Sequence, residues 1–519
     1  MLLLFDRFLI SSGIKSKLTE QEYKDLYPSG SRPGKFYGTA KIHKLKNNEG
    51  IEQLPLRPII SNINTAYRLA KHLAKLLSPL SRSQYTVSST KDFINKLKNH
   101  EIPTTSKLIS FDVTSLFTNV PLEYTIDIIL TRIFDHNELQ TDLTRKELRE
   151  LLLLCTKHIH FSFNGTMYIQ KDGAAMGSPL GPFLAGIFMV ELECTLLPQL
   201  TMYMTPWWRY VDDTIAFIKE DCVDIVLQAI NNYHSNINFT YELESDNKIS
   251  FLDVLIHRQE DRIDTSVYRK PTNNNIFLHW DSFAPKIWKK GTLRTLIFRA
   301  HTICSSTTLK EKEIQHLKKV FHDMNGYPRN VIEKVIEETE RKLKQPPKPP
   351  QIETEISEPT KQRLICLPYQ GQQGETAIRS MKRALKTIIG DKVDTKVVYT
   401  STKLSTKFNI KDKTLKEHEN NVVYKIECPE ENCYKTYIGE TRRRVVERMK
   451  DHSGRDPNSQ VLKHSIEKGH QTITMNDISL LAKGFKTNFS REISEAFYIK
   501  EQKPSLNIQS LSKPIKLFS

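Results

Sequence analysis

The sequence has little of what a membrane-spanning or secreted protein needs. No continuous run reaches the roughly 18 apolar residues of a transmembrane helix, which argues against a membrane as a partner. The opening MLLLFDRFLI is short, holds Asp6 and Arg7 within it and lacks a small-residue cleavage site, so a secretory signal peptide is not expected. Only 7 cysteines are scattered over 519 residues, a usage that fits a reducing, intracellular compartment. No internal repeat is present. Acidic residues are also in deficit: 76 Lys and Arg stand against 60 Asp and Glu, a net charge of +16. A surplus of that size points to a polyanionic partner, nucleic acid or an anionic membrane surface, although a solvated basic face carries the same charge; with no membrane-spanning run the membrane alternative recedes.

The length allows two to four domains. Residues 1–106 mix helical patterns with a basic loop region, GKFYGTAKIHKLKNNEG. Over 107–265, strand-like runs such as KLISFDV and ISFLDVLI alternate with helical patterns such as TRKELRELLLLCTKHI. Residues 266–344 read as mainly helical. Five prolines between 346 and 359 mark 345–362 as a semi-extended linker. A basic connector follows at 363–420. The region 421–512 opens with two strand-like runs, NVVYKI and KTYIG, and continues into a helix.

Two acidic sites interrupt apolar runs. In WWRYVDDTIAFI, Asp212 and Asp213 sit in a strand–turn–strand pattern; in LISFDVTSLF, Asp112 ends a strand. An ordinary hairpin tip also accepts Asp. Three carboxylates gathered at strand ends, however, would repel one another and retain a proton. A pair of Mg²⁺ ions removes that conflict and can clamp the attacking and leaving oxygens of a phosphoryl transfer.

FDVTSLF, AAMGSPLGP and YVDD occur in the order of the palm motifs of reverse transcriptases. YGTAKIHK, LRPIIS, SLFTNVP, ISFLDV and VYRKPT resemble the Penelope-like retroelement enzymes over about residues 30–330. The resemblance implies an α+β right-hand polymerase: fingers within 1–106, a ferredoxin-like palm with finger elements over 107–265, and a helical thumb over 266–344. It implies Asp112, Asp212, Asp213 and the Val113 carbonyl as ligands of two Mg²⁺ ions. Phe117 falls where the family carries the aromatic gate against a ribose 2′-OH. Gly177 and Ser178 resemble the family's support for the incoming nucleotide, with Met176 standing where many relatives have Gln. Arg57 resembles the fingers residue that grips the triphosphate, a role that its planar fork suits. Lys41 and Lys44 are further phosphate candidates that could equally be a solvated charge run, and Lys248 is a candidate acid for departing pyrophosphate. Asp253 belongs to a primer-gripping hairpin. Arg269, Lys270, Lys286, Lys289 and Lys290 are candidates to reach product-duplex phosphates.

After the linker, Tyr424 and Tyr437 lie on successive strand patterns, and Arg444, Arg448 and His452 recur every four residues on one helix face. A solvated basic face would look the same. With the tyrosine pair and REISEAFYIKEQKPSLN, the region resembles a GIY-YIG nuclease, a small α/β domain with a short antiparallel sheet, here with Val-Val-Tyr in place of Gly-Ile-Tyr. That resemblance implies Glu495 as the ligand of a single Mg²⁺, supported by Asn507. It implies Tyr424, with Tyr437 or His452, as the group handling water, and Arg448 as the stabiliser of charge on phosphorus. Cys428, Cys433, His464 and His470 form a Cys₂His₂ set suited to a structural Zn²⁺; free thiols and surface histidines are the plain alternative.

Together the two halves imply target-primed reverse transcription. The nuclease nicks DNA and the polymerase extends the new 3′-OH with dNTPs, copying an RNA template. Chromosomal DNA as substrate implies the nucleus. Penelope-like proteins usually carry more sequence ahead of the fingers, so a truncated or domesticated, catalytically inactive nucleic-acid-binding copy is the alternative expectation.

Overall fold

The computed structural model describes residues 14–17, 19–26, 33–41, 50–61, 66–100, 106–157, 159–259, 262–345, 363–389, 395–401, 414–485 and 487–507. In chain order the main elements begin with β1 (Gly34–Ala40), β2 (Leu56–Ile60), α1 (Tyr67–Leu77), α2 (Thr90–Lys98) and β3 (Lys107–Val113). Next come α3 (Leu122–Phe134), α4 (Arg145–Thr156), β4 (His160–Phe163), β5 (Thr166–Ile169) and α5 (Gly181–Leu200). They are followed by β6 (Met204–Tyr210), β7 (Asp213–Ile218), α6 (Val223–Asn231), β8 (Phe239–Leu243), β9 (Lys248–Phe251), β10 (Val254–Arg258) and β11 (Ile263–Val267). Three helices follow: α7 (Lys286–Ile303), α8 (Thr307–Lys319) and α9 (Arg329–Lys344). The rest comprises β12 (Arg363–Pro368), α10 (Gly371–Ile389), β13 (Thr395–Thr400), β14 (Val422–Glu427), β15 (Thr436–Thr441), α11 (Val445–Lys450), α12 (Gln460–Lys468), β16 (Ile478–Lys483) and α13 (Asn488–Gln502).

The chain forms two compact units. One comprises residues Met1–Ser83, Ser115–Glu193 and Asn409–Ser519; the other comprises Gln84–Thr114 and Cys194–Phe408. In the first, β2-β1-β4-β5 form a sheet with β1 and β4 parallel. GKFYGTA is thus a strand and not the loop its basic surroundings suggest. Helix α4 is set by a capping box in which Thr144 and Glu147 each bond the other's backbone N–H. Helix α5 corrects the expectation from apolar runs. By length and composition it could cross a membrane, and its only charged residues are Glu191 and Glu193. Leu184, Ala185, Ile187, Phe188 and Met189 are all buried, as in a core helix of a folded domain.

In the second unit the antiparallel sheet runs β6-β7-β3-β8. With α5 between β3 and β6 and α6 between β7 and β8, this is the order of a ferredoxin-like βαββαβ sheet. ISFLDVLI is not one strand: Leu252 and Asp253 turn the chain, so β9 pairs back on β10 with Phe251 opposite Val254. Leu252 takes φ +56° there, as the first position of a type II′ hairpin turn requires. Phe93, Trp208, Phe217, Phe251 and Ile303 fill the core behind these strands. A separate cluster including Leu293, Ile297, Phe321, Tyr327 and Val335 holds α7, α8 and α9 together. The connector contains a β–α–β element, with β12 and β13 parallel from Arg363↔Thr395 to Pro368↔Thr400. The Pro-rich stretch 346–362 lies outside the described residues.

The C-terminal part has a three-stranded antiparallel sheet ordered β15-β14-β16. Val422, Tyr424, Ile426, Val445, Met449, Val461 and Ile478 make its core. The third strand, β16, has no counterpart in the sequence reading.

Candidate active sites

The central strand β3 delivers Asp112 to the edge of its sheet. Phe111 pairs with Thr214, so the next step of the antiparallel register sets Asp112 opposite Asp213. Opposed Cα atoms in such a ladder lie roughly 4.5–5.5 Å apart. Tyr210 pairs with Asp213, leaving Val211 and Asp212 as a two-residue turn. Val211 adopts φ +60°, a conformation that a β-branched residue avoids and that costs on the order of 1–3 kcal/mol. The three acids therefore converge. Crowding of its carboxyl by protein, then the charges of Asp212 and Asp112, push Asp213 up to about 6, with Lys270 acting in the opposite direction. By surface area Asp213 is nevertheless exposed. The Val113 side chain is buried, and β3 ends at that residue. Such a donor set of three carboxylates and a strand-end carbonyl suits hard divalent cations.

Lys248 does not join this cluster. It starts β9 opposite His257, and its charge helps to lower the pKa of that imidazole after burial does so. Lys270 is the lysine whose charge acts on Asp213; as one cation in a basic word, VYRKPT, it carried no distinguishing signal. Two other expected phosphate contacts are engaged within the protein. Arg269 pairs with Glu313, Nη1 to carboxylate 2.8 Å. Lys289 is buried and donates to the carbonyls of Trp280 and, at 2.8 Å, Ser282. Asp253 accepts from Thr90 at 2.5 Å and from Arg299 at 2.6 Å, so it braces its hairpin.

Phe117, Gly177 and Ser178 line a single cavity of about 370 Å³, together with Tyr67, Lys71, Met176 and Pro182. The Ala174 N–H donates to the Phe117 carbonyl at 2.7 Å, tying the two motifs together, and Gly177 takes φ +113°, which favours glycine. Arg57 and Lys41 lie on the β1–β2 hairpin, where Thr39 faces Arg57, outside that lining. Lys44 lies outside the described residues.

In the C-terminal part, Tyr424 is the hub. Its ring is fully buried, and its Oη lies 2.8 Å from His452 Nε2 and accepts from Arg448 Nε at 3.0 Å. His452 Nδ1 meets Ser459 Oγ at 2.7 Å. Burial, then the Arg448 charge, push His452 down to about 4, so the imidazole is neutral near pH 7. Burial pushes the Tyr424 phenol well above its usual range. Tyr437 is half-buried, with its ring 5.2 Å from that of His452. Gly439 is required by close approach, because a Cβ there would come within 2.8 Å of Tyr424 Oη and 2.7 Å of the Tyr437 ring. Glu495, on α13, is pushed up to about 7 by burial and then by Glu440; the Glu440 N–H, Arg448 and Arg491 oppose the shift. The helix face anticipated through His452 is interrupted: α11 ends at Lys450, His452 sits in the wider turn Asp451–Arg455, and Arg444 stands at the N-cap position with its Nη2 3.3 Å from Glu447. Asn507 bonds both the N–H (2.8 Å) and the C=O (2.7 Å) of Ile438, which fixes the rim of β15.

Cys428, Cys433, His464 and His470 converge with all four ligand atoms within 4.8 Å of one another. Cys428 Sγ lies 3.3 Å from His470 Nδ1, and Cys433 Sγ 3.4 Å from His464 Nε2. Tetrahedral zinc bonds of about 2.3 Å to sulfur and 2.0–2.1 Å to nitrogen separate neighbouring S and N ligands by roughly 3.5 Å. The donor set therefore fits that ion.

Residues 46–252 match the reverse transcriptase (RNA-dependent DNA polymerase) family, and residues 276–337 match the animal helix-turn-helix domain. The chain thus carries a reverse transcriptase domain, and the Asp112–Asp212–Asp213 cluster lies within it. No curated protein matches. Among solved structures, the chain is similar to apo telomerase from Candida tropicalis truncated of its C-terminal domain, at 14% identity over 49% of this chain and 59% of that one, TM-score 0.34. It is also similar to telomerase from Candida albicans in complex with a fragment of telomeric RNA, at 12% identity over 64% and 63%, TM-score 0.41. A Sicinivirus RNA-dependent RNA polymerase is similar at 12% identity over 62% and 71%, TM-score 0.36. The chain spans about three fifths of the length of the telomerase chains.

Proposed function

We propose that this protein is the RNA-directed DNA polymerase of a Penelope-like retroelement, joined to a GIY-YIG-type nuclease that nicks target DNA to prime synthesis. The observation that carries the polymerase half is the meeting of Asp112, Asp212 and Asp213 at the open end of a ferredoxin-like sheet, inside the matched reverse transcriptase region. Asp112, Asp212, Asp213 and the Val113 carbonyl would hold two Mg²⁺ ions. When bound, these ions offset the repulsion among the carboxylates and stabilise charge on the transferring phosphoryl group. The chain's own part is to keep the carboxylates at one strand end and to shape the nucleotide cavity. There the Phe117 ring excludes a 2′-OH, while Gly177 and Ser178 let backbone approach the substrate. Arg57 and Lys41 on the β1–β2 hairpin are the residues assigned to phosphate.

For the nuclease half, Glu495 is the proposed Mg²⁺ ligand and Arg448 the cation facing the scissile phosphate. Tyr424 is too buried to meet bulk water, so half-buried Tyr437 is the tyrosine at the water's side. Neutral His452, whose ring lies 5.2 Å from that of Tyr437 and whose Nε2 meets the Tyr424 hydroxyl, is the base beside them. Cys428, Cys433, His464 and His470 would hold a structural Zn²⁺ that braces the β14–β15 loop against α12. RNA template, primer and target DNA, and dNTPs are the partners, and the site of action is the nucleus. The presence of Asp112, Asp212, Asp213 and Glu495 together with their supporting contacts favours this reading over a long-decayed inactive copy. The test is a paired assay on purified chain: RNA-templated dNTP incorporation and Mg²⁺-dependent plasmid nicking. Glu495→Ala should abolish only the nicking.

A further inference from the structure

The turn that carries Asp212 is held by a residue outside the carboxylate set. Val211 sits at φ +60°, so the hairpin does not hold its shape by local preference. Two residues earlier, Arg209 is a charged side chain only 2% exposed. Its Nη1 donates to the Val211 carbonyl at 3.2 Å.

That carbonyl belongs to the peptide linking Val211 to Asp212. Rotation of that peptide plane, through ψ of Val211 and φ of Asp212, would swing the Asp212 side chain away from Asp112 and Asp213. The bond from Arg209 opposes that rotation.

The anchor is itself fixed on both strand edges. Arg209 pairs with Thr214 of β7 on one side. On the other, the Arg209 N–H donates to the Tyr85 carbonyl at 2.9 Å, and its carbonyl accepts from the Val87 N–H at 2.8 Å. Residues 85–87 therefore cover the outer edge of β6 beside the turn, through the parallel bridge Thr86↔Arg209.

We infer that Arg209 is a positioning residue: its guanidinium clamps the Val211 carbonyl and holds the strained turn in the conformation that presents Asp212 to the metal ions. The inference rests on the polymerase reading of the three carboxylates. Arg209 touches no reacting atom in this role; it acts through the turn.

The experiment uses the full chain and two readouts. The first is the Mg²⁺ concentration for half-maximal RNA-templated dNTP incorporation. The second is direct Mn²⁺ binding at the sites that Asp212→Asn removes, followed by the loss of free-Mn²⁺ paramagnetic signal. Arg209→Gln and Arg209→Lys should each raise the half-maximal Mg²⁺ and the Mn²⁺ dissociation constant by roughly 10-fold, the scale found for residues that orient metal ligands. KM for dNTP should stay near the wild-type value. Arg209→Lys keeps a buried cation, so it carries the test if Arg209→Gln does not fold.

A double-mutant cycle separates clamping from general support. Glycine adopts φ +60° without strain, so in a Val211→Gly background the same Arg209 substitutions should lose clearly less metal affinity. An unchanged Mn²⁺ affinity in Arg209→Lys, or an equal loss in both backgrounds, overturns the inference. Failure of the wild-type chain to incorporate dNTPs, with Mn²⁺ binding intact, would instead defeat the polymerase reading, and the Mn²⁺ cycle would still decide the role of Arg209.

Discussion

Asp112 and Asp213 oppose each other one step beyond the Phe111–Thr214 pair of the β3–β7 ladder. Two residues a hundred positions apart in the chain thereby share one electrostatic environment, and Asp213 titrates in response to both Asp112 and Asp212. Without a cation the arrangement works against folding, which has measurable consequences.

The first concerns pH. Asp213 and Glu495 are pushed up to about 6 and about 7. The folded chain therefore holds these protons more tightly than the unfolded chain, whose carboxyls titrate at roughly 4. Their contribution to stability is full below the unfolded values and is lost as pH rises through the folded ones. Thermal melts in chelator should show wild type losing stability between about pH 4 and 7 relative to an Asp213→Asn/Glu495→Gln variant. Mg²⁺ should narrow the gap. A gap that is constant across this window would contradict the assignment.

Phe117 lines the cavity that also holds Gly177 and Ser178. Replacing it with Ala removes the bulk set against a ribose 2′-OH. Discrimination between dNTP and rNTP should fall by roughly 10-fold or more, the scale of one lost steric contact in a pocket. Single-nucleotide incorporation kinetics with dGTP and GTP would measure it. Unchanged selectivity would return Phe117 to an ordinary core role.

Gly439 leaves no room for a methyl group beside Tyr424 and Tyr437. Gly439→Ala should destabilise the C-terminal domain by about 1–3 kcal/mol, as overpacking of a filled core does. Chemical denaturation would report the loss. Nicking should fall, while incorporation by the polymerase domain should persist.

Purified protein should contain about one Zn²⁺ per chain, held at the Cys428–Cys433–His464–His470 set. Metal analysis by mass spectrometry checks this. Cys428→Ser or His470→Ala should release the ion and lower the melting temperature of the C-terminal domain. Metal-free wild type that melts at the same temperature as zinc-loaded protein would exclude a structural ion.

The chemistry was more legible in the sequence than the architecture around it. Asp112, Asp212 and Asp213 stand inside apolar words that leave them few roles, and the ladder joins them. The tyrosine pair reads locally in the same way. What escaped depends on partners distant in the chain. GKFYGTA becomes a strand because Leu56–Ile60 and His160–Phe163 flank it. The connector gains parallel strands only when β12 meets β13. Lys289 and Arg269 look like free phosphate contacts until Trp280, Ser282 and Glu313 are seen to occupy them. The burial of Tyr424, which moves the water-facing role toward Tyr437, is a property of the packed sheet and of no short motif.

The most direct measurement is RNA-templated dNTP incorporation by the full chain in Mg²⁺, comparing wild type with Asp212→Asn. The account predicts robust incorporation by wild type and none above background by the variant, with plasmid nicking retained in both. Incorporation by Asp212→Asn at the wild-type rate would contradict it.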